Sequence, residues 1–257
     1  FEKAKYREAS IEYLNAIQVD SQYMEAHYQL AQTYLKLGLW RGAYQELMRT
    51  VDLQPEHLKA QVDMGNLLLA GREFKQARER AELVLQRDPN NVDAHILLAN
   101  ANATLNNVED SLKEIEKAIQ LDPERPRSYL NRALLQLNAK QIAAAEESFR
   151  KAIQLDPNSV PALLALGNFY QGQRRWPEAE QQYRRALQID PKNHLPYAAL
   201  ALLHLAQGQR SQAEQVLLDA RQALPDKPEG YRLLGELYFS TGELDKALVE
   251  FASLYQE

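Results

Sequence analysis

The 257-residue chain has no cysteine, which removes disulfides, thiolate metal sites and thiol nucleophiles together. It is also short of positive charge: 30 Lys and Arg stand against 35 Asp and Glu, a net charge of −5 with a pI near 5.7. A nucleic-acid backbone needs a basic surface, so no nucleic-acid partner is expected. Apolar runs are short. None approaches the ~18 residues that cross a bilayer, and no membrane insertion of this segment is expected. No signal-like stretch opens the chain, and a start at Phe1 rather than methionine reads as a fragment or processed form.

Chemistry-bearing motifs are missing as well. There is no G-x-S-x-G, no P-loop and no G-x-G-x-x-G. The histidines His27, His57, His95, His194 and His204 include no pair at the i, i+4 spacing of a helical zinc site. They read as packed or linker residues. Acidic pairs such as Glu146 with Glu147 sit among Lys and Arg, as on a solvated helix face. The expectation is no catalytic residue, no metal, no cofactor and no enzyme.

What is present is a register. Pro55, Pro89, Pro123, Pro157, Pro191 and Pro225 lie 34 residues apart without a slip, and Asp88, Asp122, Asp156 and Asp190 precede four of them. Such spacing marks a repeat architecture. Pro126, Pro161, Pro196 and Pro228 fall just after the linkers, and Pro177 opens the second segment of its unit. Proline is tolerated in a first helical turn and breaks a helix interior, so all eleven suit repeated helix–turn–helix units.

Between the prolines apolar residues recur at helical spacing. In one unit Leu163, Leu166, Gly167 and Tyr170 form a first stripe, and Ala179, Tyr183 and Ala186 form a second beyond Gln171-Gly172-Gln173. The last unit repeats this with Tyr231, Leu234, Gly235 and Tyr238, then Gly242, Ala247 and Phe251. Two short amphipathic helices joined so tightly lie antiparallel, with small residues at their closest approach.

These residues resemble the tetratricopeptide repeat, W-x2-L-G-x2-Y…A-x3-F…A…P over 34 positions. The resemblance covers the whole chain and implies an all-α, right-handed superhelical solenoid of antiparallel helix pairs. It implies one array over residues 1–257: a half repeat at 1–23, then units starting at Met24, Leu58, Val92, Pro126, Val160, His194 and Pro228. Ala9, Tyr13 and Ala16 take second-helix slots in the half repeat, with Phe1 in the last turn of its first helix. His27 and His95 replace the Trp, Ser21 a linker proline and Asn102 the Tyr. Such departures are expected to weaken packing in single units. Neither end reads as capped, which suggests a segment of a longer array and leaves self-association through the ends as one outcome.

The resemblance further implies that first helices line a concave groove. Its inward slots read Glu25, Tyr28, Gln29, Gln32; Lys59, Val62, Asp63, Asn66; Asp93, Ile96, Leu97, Asn100; Arg127, Leu130, Asn131, Leu134; then Leu164, Ala165, Asn168 and Leu195, Ala198, Ala199, Leu202. Asn66, Asn100 and Asn168 share one slot, with Asn131 a turn earlier in its unit. Amides donate and accept, so such a row can grip an extended backbone, or it can be plainly solvated. It is similar to the asparagine ladder of protein O-glycosyltransferases, broken here by Leu134. A leucine-rich lining from Ile96 to Leu205, including Leu130, Leu134, Leu164 and Leu202, reads either as a docking strip or as packing between units.

Asn100 and Asn131 also match the two asparagines of the family's carboxylate clamp. Ile96, Pro161 and Ala165 then stand where that clamp needs cations, so capture of an acidic carboxy terminus is not expected. The reading is a protein-interaction scaffold that takes an extended or helical polypeptide. The alternatives are a recognition arm of a larger protein such as a glycosyltransferase, or a self-assembling solenoid. The stretch LANANATLNNVEDSLKEIEKAIQLDP is similar to bacterial arrays of envelope lipoproteins. That leans the compartment toward the cell envelope and leaves the cytoplasm open.

Overall fold

The computed structural model describes residues 2–105 and 107–253, with side chains from residue 5 onward. Among them every regular element is helical and none is a strand. A lone helix α1 (Glu2–Val19) precedes seven pairs: α2 (Met24–Leu37) with α3 (Trp40–Leu53), α4 (Leu58–Ala70) with α5 (Phe74–Arg87), and α6 (Val92–Thr104) with α7 (Val108–Leu121). Then come α8 (Pro126–Asn138) with α9 (Ile142–Leu155), α10 (Val160–Gly172) with α11 (Trp176–Ile189), α12 (His194–Ala206) with α13 (Arg210–Ala223), and α14 (Pro228–Ser240) with α15 (Leu244–Ala252). Phe1 and Glu257, on which the readings of the two ends rest, lie outside the described residues. The helices form two compact units, Phe1–Ala145 and Glu146–Glu257, with the division inside α9.

Six of the seven turns between the helices of a pair share one construction among the described residues. In each, a residue two or three past the helix end donates its N–H to the carbonyl five positions back: Leu39 to Tyr34, Glu73 to Leu68, Gln141 to Gln136, Arg175 to Tyr170, Gln209 to His204 and Glu243 to Tyr238, all at 2.8–2.9 Å. This closure needs a left-handed residue just before the donor. Gly38, Gly208 and Gly242 supply it at φ 71–80°, whereas Arg72, Lys140 and Arg174 adopt φ 59–66° with side chains attached. The second group carries a steric cost that glycine avoids.

Linkers between pairs are fastened by side chains. Asp20, Asp88, Asp156 and Asp190 each accept the N–H two residues on, folding the chain over the proline slot. The next helix is then capped by Asn91 on the Ala94 N–H, Ser159 on Ala162, Asn193 on Leu195, and His57 through Nδ1 on Ala60. These caps satisfy donors that the first helical turn cannot.

Within each unit the core lies between the two helices of a pair and against the next pair. In unit 1, Leu47, Val51, Ala60, Met64, Ala81, Leu97 and Leu98 form one buried cluster. In unit 2, Leu217, Leu234, Leu237, Tyr238 and Ala247 form another. His27 and His95, which stand in the Trp slot, are held on both ring nitrogens. Both are buried, with Nδ1 2.6 Å from Glu46 and Glu114 respectively, and Nε2 3.2 and 3.0 Å from the carbonyls of Ser21 and Pro89. These polar contacts reach from the linker to the second helix in the slot where the family has a Trp.

Candidate protein-interaction faces

In unit 1 the solvent side of the first helices is polar and partly cross-linked. Asp63 on α4 accepts hydrogen bonds from Tyr28 Oη (2.9 Å) and Gln32 Nε2 (2.8 Å), both on α2. Burial pushes the Asp63 carboxyl above its ordinary value, against the pull of Tyr28, Gln32 and Lys59. Burial and the facing carboxylate likewise push the Tyr28 hydroxyl far up, so it remains a donor. Asp63 therefore pins α2 to α4.

Asn66 and Asn100 come next on this side, half-buried on α4 and α6, with no hydrogen-bond partner among the described residues. Asn131 on α8 is half-buried, and its Nδ2 is shielded from solvent without a partner. Leu130 is half-buried beside it, while Leu134 is 49% exposed. Tyr28, Val62, Ile96 and Leu97, assigned to the inward slots, are instead buried. The leucine-rich lining therefore does not begin at Ile96: that residue packs with Ala99, Ile115 and Leu135. A first-helix slot that looks free in one unit is covered when the next pair presents a side chain large enough to reach it.

Unit 2 has a different character. On α12, Leu202 is 60% exposed, and Leu195 and Leu205 are also exposed, whereas Leu164 on α10 is half-buried. Asn168 is exposed, but its Oδ1 accepts the Tyr183 hydroxyl at 2.7 Å. Its acceptor is engaged inside the helix pair, unlike those of Asn66 and Asn100. Burial raises the Tyr183 hydroxyl to about 12 and keeps it a donor at neutral pH.

One apolar feature escaped sequence reading. Trp40, 61% exposed at the start of α3, stands with Tyr44 and Leu67 along a groove of about 670 Å³ between α3, α4 and α5. Apolar residues fill the Trp40 slot in most units, so the sequence alone reads them all as packing.

Family comparison agrees with this architecture. Tetratricopeptide-repeat family models match residues 1–38, 62–126, 104–160, 136–203 and 173–237. The chain belongs to the tetratricopeptide-repeat family. No curated protein matches it in sequence. Among solved structures, yeast Tom70 superposes with a TM-score of 0.75 at 17% identity, over 97% of this chain and 54% of that one. The Cut9 and Hcn1 tetramer of the APC/C gives 0.69 at 15% identity, over 92% and 46%. Pseudomonas aeruginosa pilF gives 0.58 at 23% identity, over 83% and 97%. The chain thus spans about half the length of the Tom70 chain, and at these identities the likeness is one of fold.

This tetratricopeptide-repeat protein has the architecture of a protein–protein interaction scaffold, a class that is in general non-enzymatic. Among the described residues no helix is long and apolar enough to cross a membrane.

Proposed function

We propose that the chain is a single repeat array, a half repeat followed by seven units, and that its first-helix faces hold a polypeptide partner. In unit 1 the contact would be made by Asn66, Asn100 and Asn131 with Leu130 and Leu134, gripping an extended backbone through amides. In unit 2 the exposed Leu202, with Leu164 and the free amide nitrogen of Asn168, would take apolar side chains. The observation that carries the reading is the open hydrogen-bonding capacity of Asn66 and Asn100, two half-buried amides in one repeat slot on successive first helices. Half-buried amides without partners favour a ligand that completes them. Affinity then comes from modest contacts summed over several units.

The experiment is a random peptide library selected against the chain, with each hit titrated against the Asn100→Ala/Asn131→Ala double variant. Each lost amide contact costs roughly 0.5–1.5 kcal/mol, so affinity should fall about five- to a hundredfold with little change in salt dependence. Lys113→Ala and Glu147→Ala, on second helices, should leave it unaltered. Hits that bind the double variant as well as the parent would remove the ladder.

A further inference from the structure

The groove between α3, α4 and α5 has an internal control. One repeat later the equivalent groove is lined by Lys75, Arg78, Glu79, Leu105 and Asn107 and holds about 360 Å³. Lys75 occupies the slot of Arg41, Arg78 that of Tyr44, and Asn107 that of Glu73. The fold therefore accepts a polar, charged lining at this place. Tyr44 and Leu67 also pack against the core of unit 1, but burial does not explain a Trp that is 61% exposed. A large aromatic held open beside a leucine has the make-up of an interface anchor.

Charge at the groove indicates what fits. Arg41 lines it and Arg72 lies at the α4–α5 turn, between the lining residues Gly71 and Glu73; neither arginine has an ion-pair partner among the described residues. The one lining carboxylate, Glu73, takes a hydrogen bond from Gln76 at 3.3 Å. Counting Arg72 beside the lining, two arginines stand against one carboxylate at this groove, on a chain whose overall charge is negative. A small-molecule site would enclose most of its ligand. Here Trp40 stands out at the surface, which suits a side chain of a partner laid against it.

We propose that the α3–α4–α5 groove docks an acidic protein segment carrying a leucine or phenylalanine, the apolar side chain against Trp40 and Tyr44 and a flanking carboxylate against Arg41. This contact lies where α3 and α5 flank the end of α4, and its lining includes none of the asparagines and leucines of the proposed first-helix contact.

The test is fluorescence anisotropy of the full chain with two labelled peptides, Glu-Asp-Leu-Phe-Glu-Asp and its counterpart with Lys at every acidic position. The acidic peptide should bind saturably and the basic one at least ~10-fold more weakly, the gap closing at high salt. Trp40→Ala should cut acidic-peptide affinity ~10-fold or more. Tyr44→Arg, which installs the residue of the next groove, should do the same, and Arg41→Glu should reverse the preference between peptides. Asn100→Ala/Asn131→Ala should leave binding intact, which separates this proposal from the first-helix one. Circular dichroism checks folding; if Tyr44→Arg unfolds, the exposed positions Trp40 and Arg41 decide. Absence of saturable binding, equal binding of both peptides, or parental affinity in Trp40→Ala overturns the proposal. So does binding of 8-anilinonaphthalene-1-sulfonate alone, which would make the groove a small-molecule site.

Discussion

In two pairs of unit 2, α10–α11 and α14–α15, the first helix carries glycine where the second carries a ring, while α12–α13 has Ala201 with Leu217. A Cβ on Gly167 would come within 2.3 Å of Tyr183, and one on Gly235 within 2.6 Å of Phe251. In unit 1 the same two slots read Ala31 with Leu47 and Ala99 with Ile115, a methyl facing a medium aliphatic chain. The combined volume is kept while its division changes. The pair α4–α5 breaks this pattern, because Gly65 meets only Ala81 in those slots. The missing volume arrives from the next pair: a Cβ on Gly65 would strike Leu97 Cδ2 at 2.3 Å. Unit 2 thus fills its tightest approach within one pair, and unit 1 fills one of its own by borrowing from a neighbour.

The largest effect that could break this comparison is a charge forced into the closest contact. Ala179 is fully buried, so Ala179→Arg should abolish cooperative unfolding of unit 2, read by hydrogen exchange resolved along the chain. Parental exchange and melting would show the small-residue slot wrongly placed. Gly167→Leu should follow, costing on the order of 1–3 kcal/mol or more as Tyr183 is displaced.

Leu97→Ala probes the borrowed contact. It should cost about 2–5 kcal/mol and loosen α4 and α5 as well as α6, because its side chain fills space beside Gly65. Loss confined to α6 and α7 would mean that each pair in unit 1 is self-sufficient after all.

Two half-buried carboxylates, one in each unit, respond oppositely to their surroundings. Glu146 in unit 2 is raised by burial, but hydrogen bonds from Arg175 and Tyr170 more than offset this and leave it below the ordinary glutamate value. Its contribution is full above that value of 4.5 and is lost as pH falls through the lowered one. Asp63 in unit 1 is raised, so its ionised form costs stability at neutral pH, and that cost is relieved on acidification. Glu146→Gln should therefore destabilise unit 2 at neutral pH by about 1 kcal/mol and flatten its acid loss. Asp63→Asn should leave unit 1 as stable or slightly more so at neutral pH. Chemical denaturation across pH 3–8 reads both (~0.5 pH unit steps suffice to place them), and equal acid profiles in the two variants would erase the contrast.

The smallest effect is a gain. Arg72→Gly, Lys140→Gly and Arg174→Gly relieve the left-handed turn and should each stabilise by up to ~1 kcal/mol, less the added freedom of glycine in the unfolded chain. Gly208→Ala should move the other way by a similar amount.

The sequence by itself determined the helices, their 34-residue register and the placing of small residues where paired helices meet. Each depends on residues a few positions apart, or on one hairpin folded back on itself, and periodicity reports such local geometry directly. It also located the amide row, since Asn66 and Asn100 recur in a single slot. Only the tertiary structure decided which faces stay open. Ile96 and Leu97 share helical phase with exposed leucines yet are buried, Asn168 lost its acceptor to Tyr183, and Trp40 was left standing over a groove. Exposure at a slot is set by the volumes and hydrogen-bonding groups that two or three separate helices bring to it, and no periodicity within one helix carries that information.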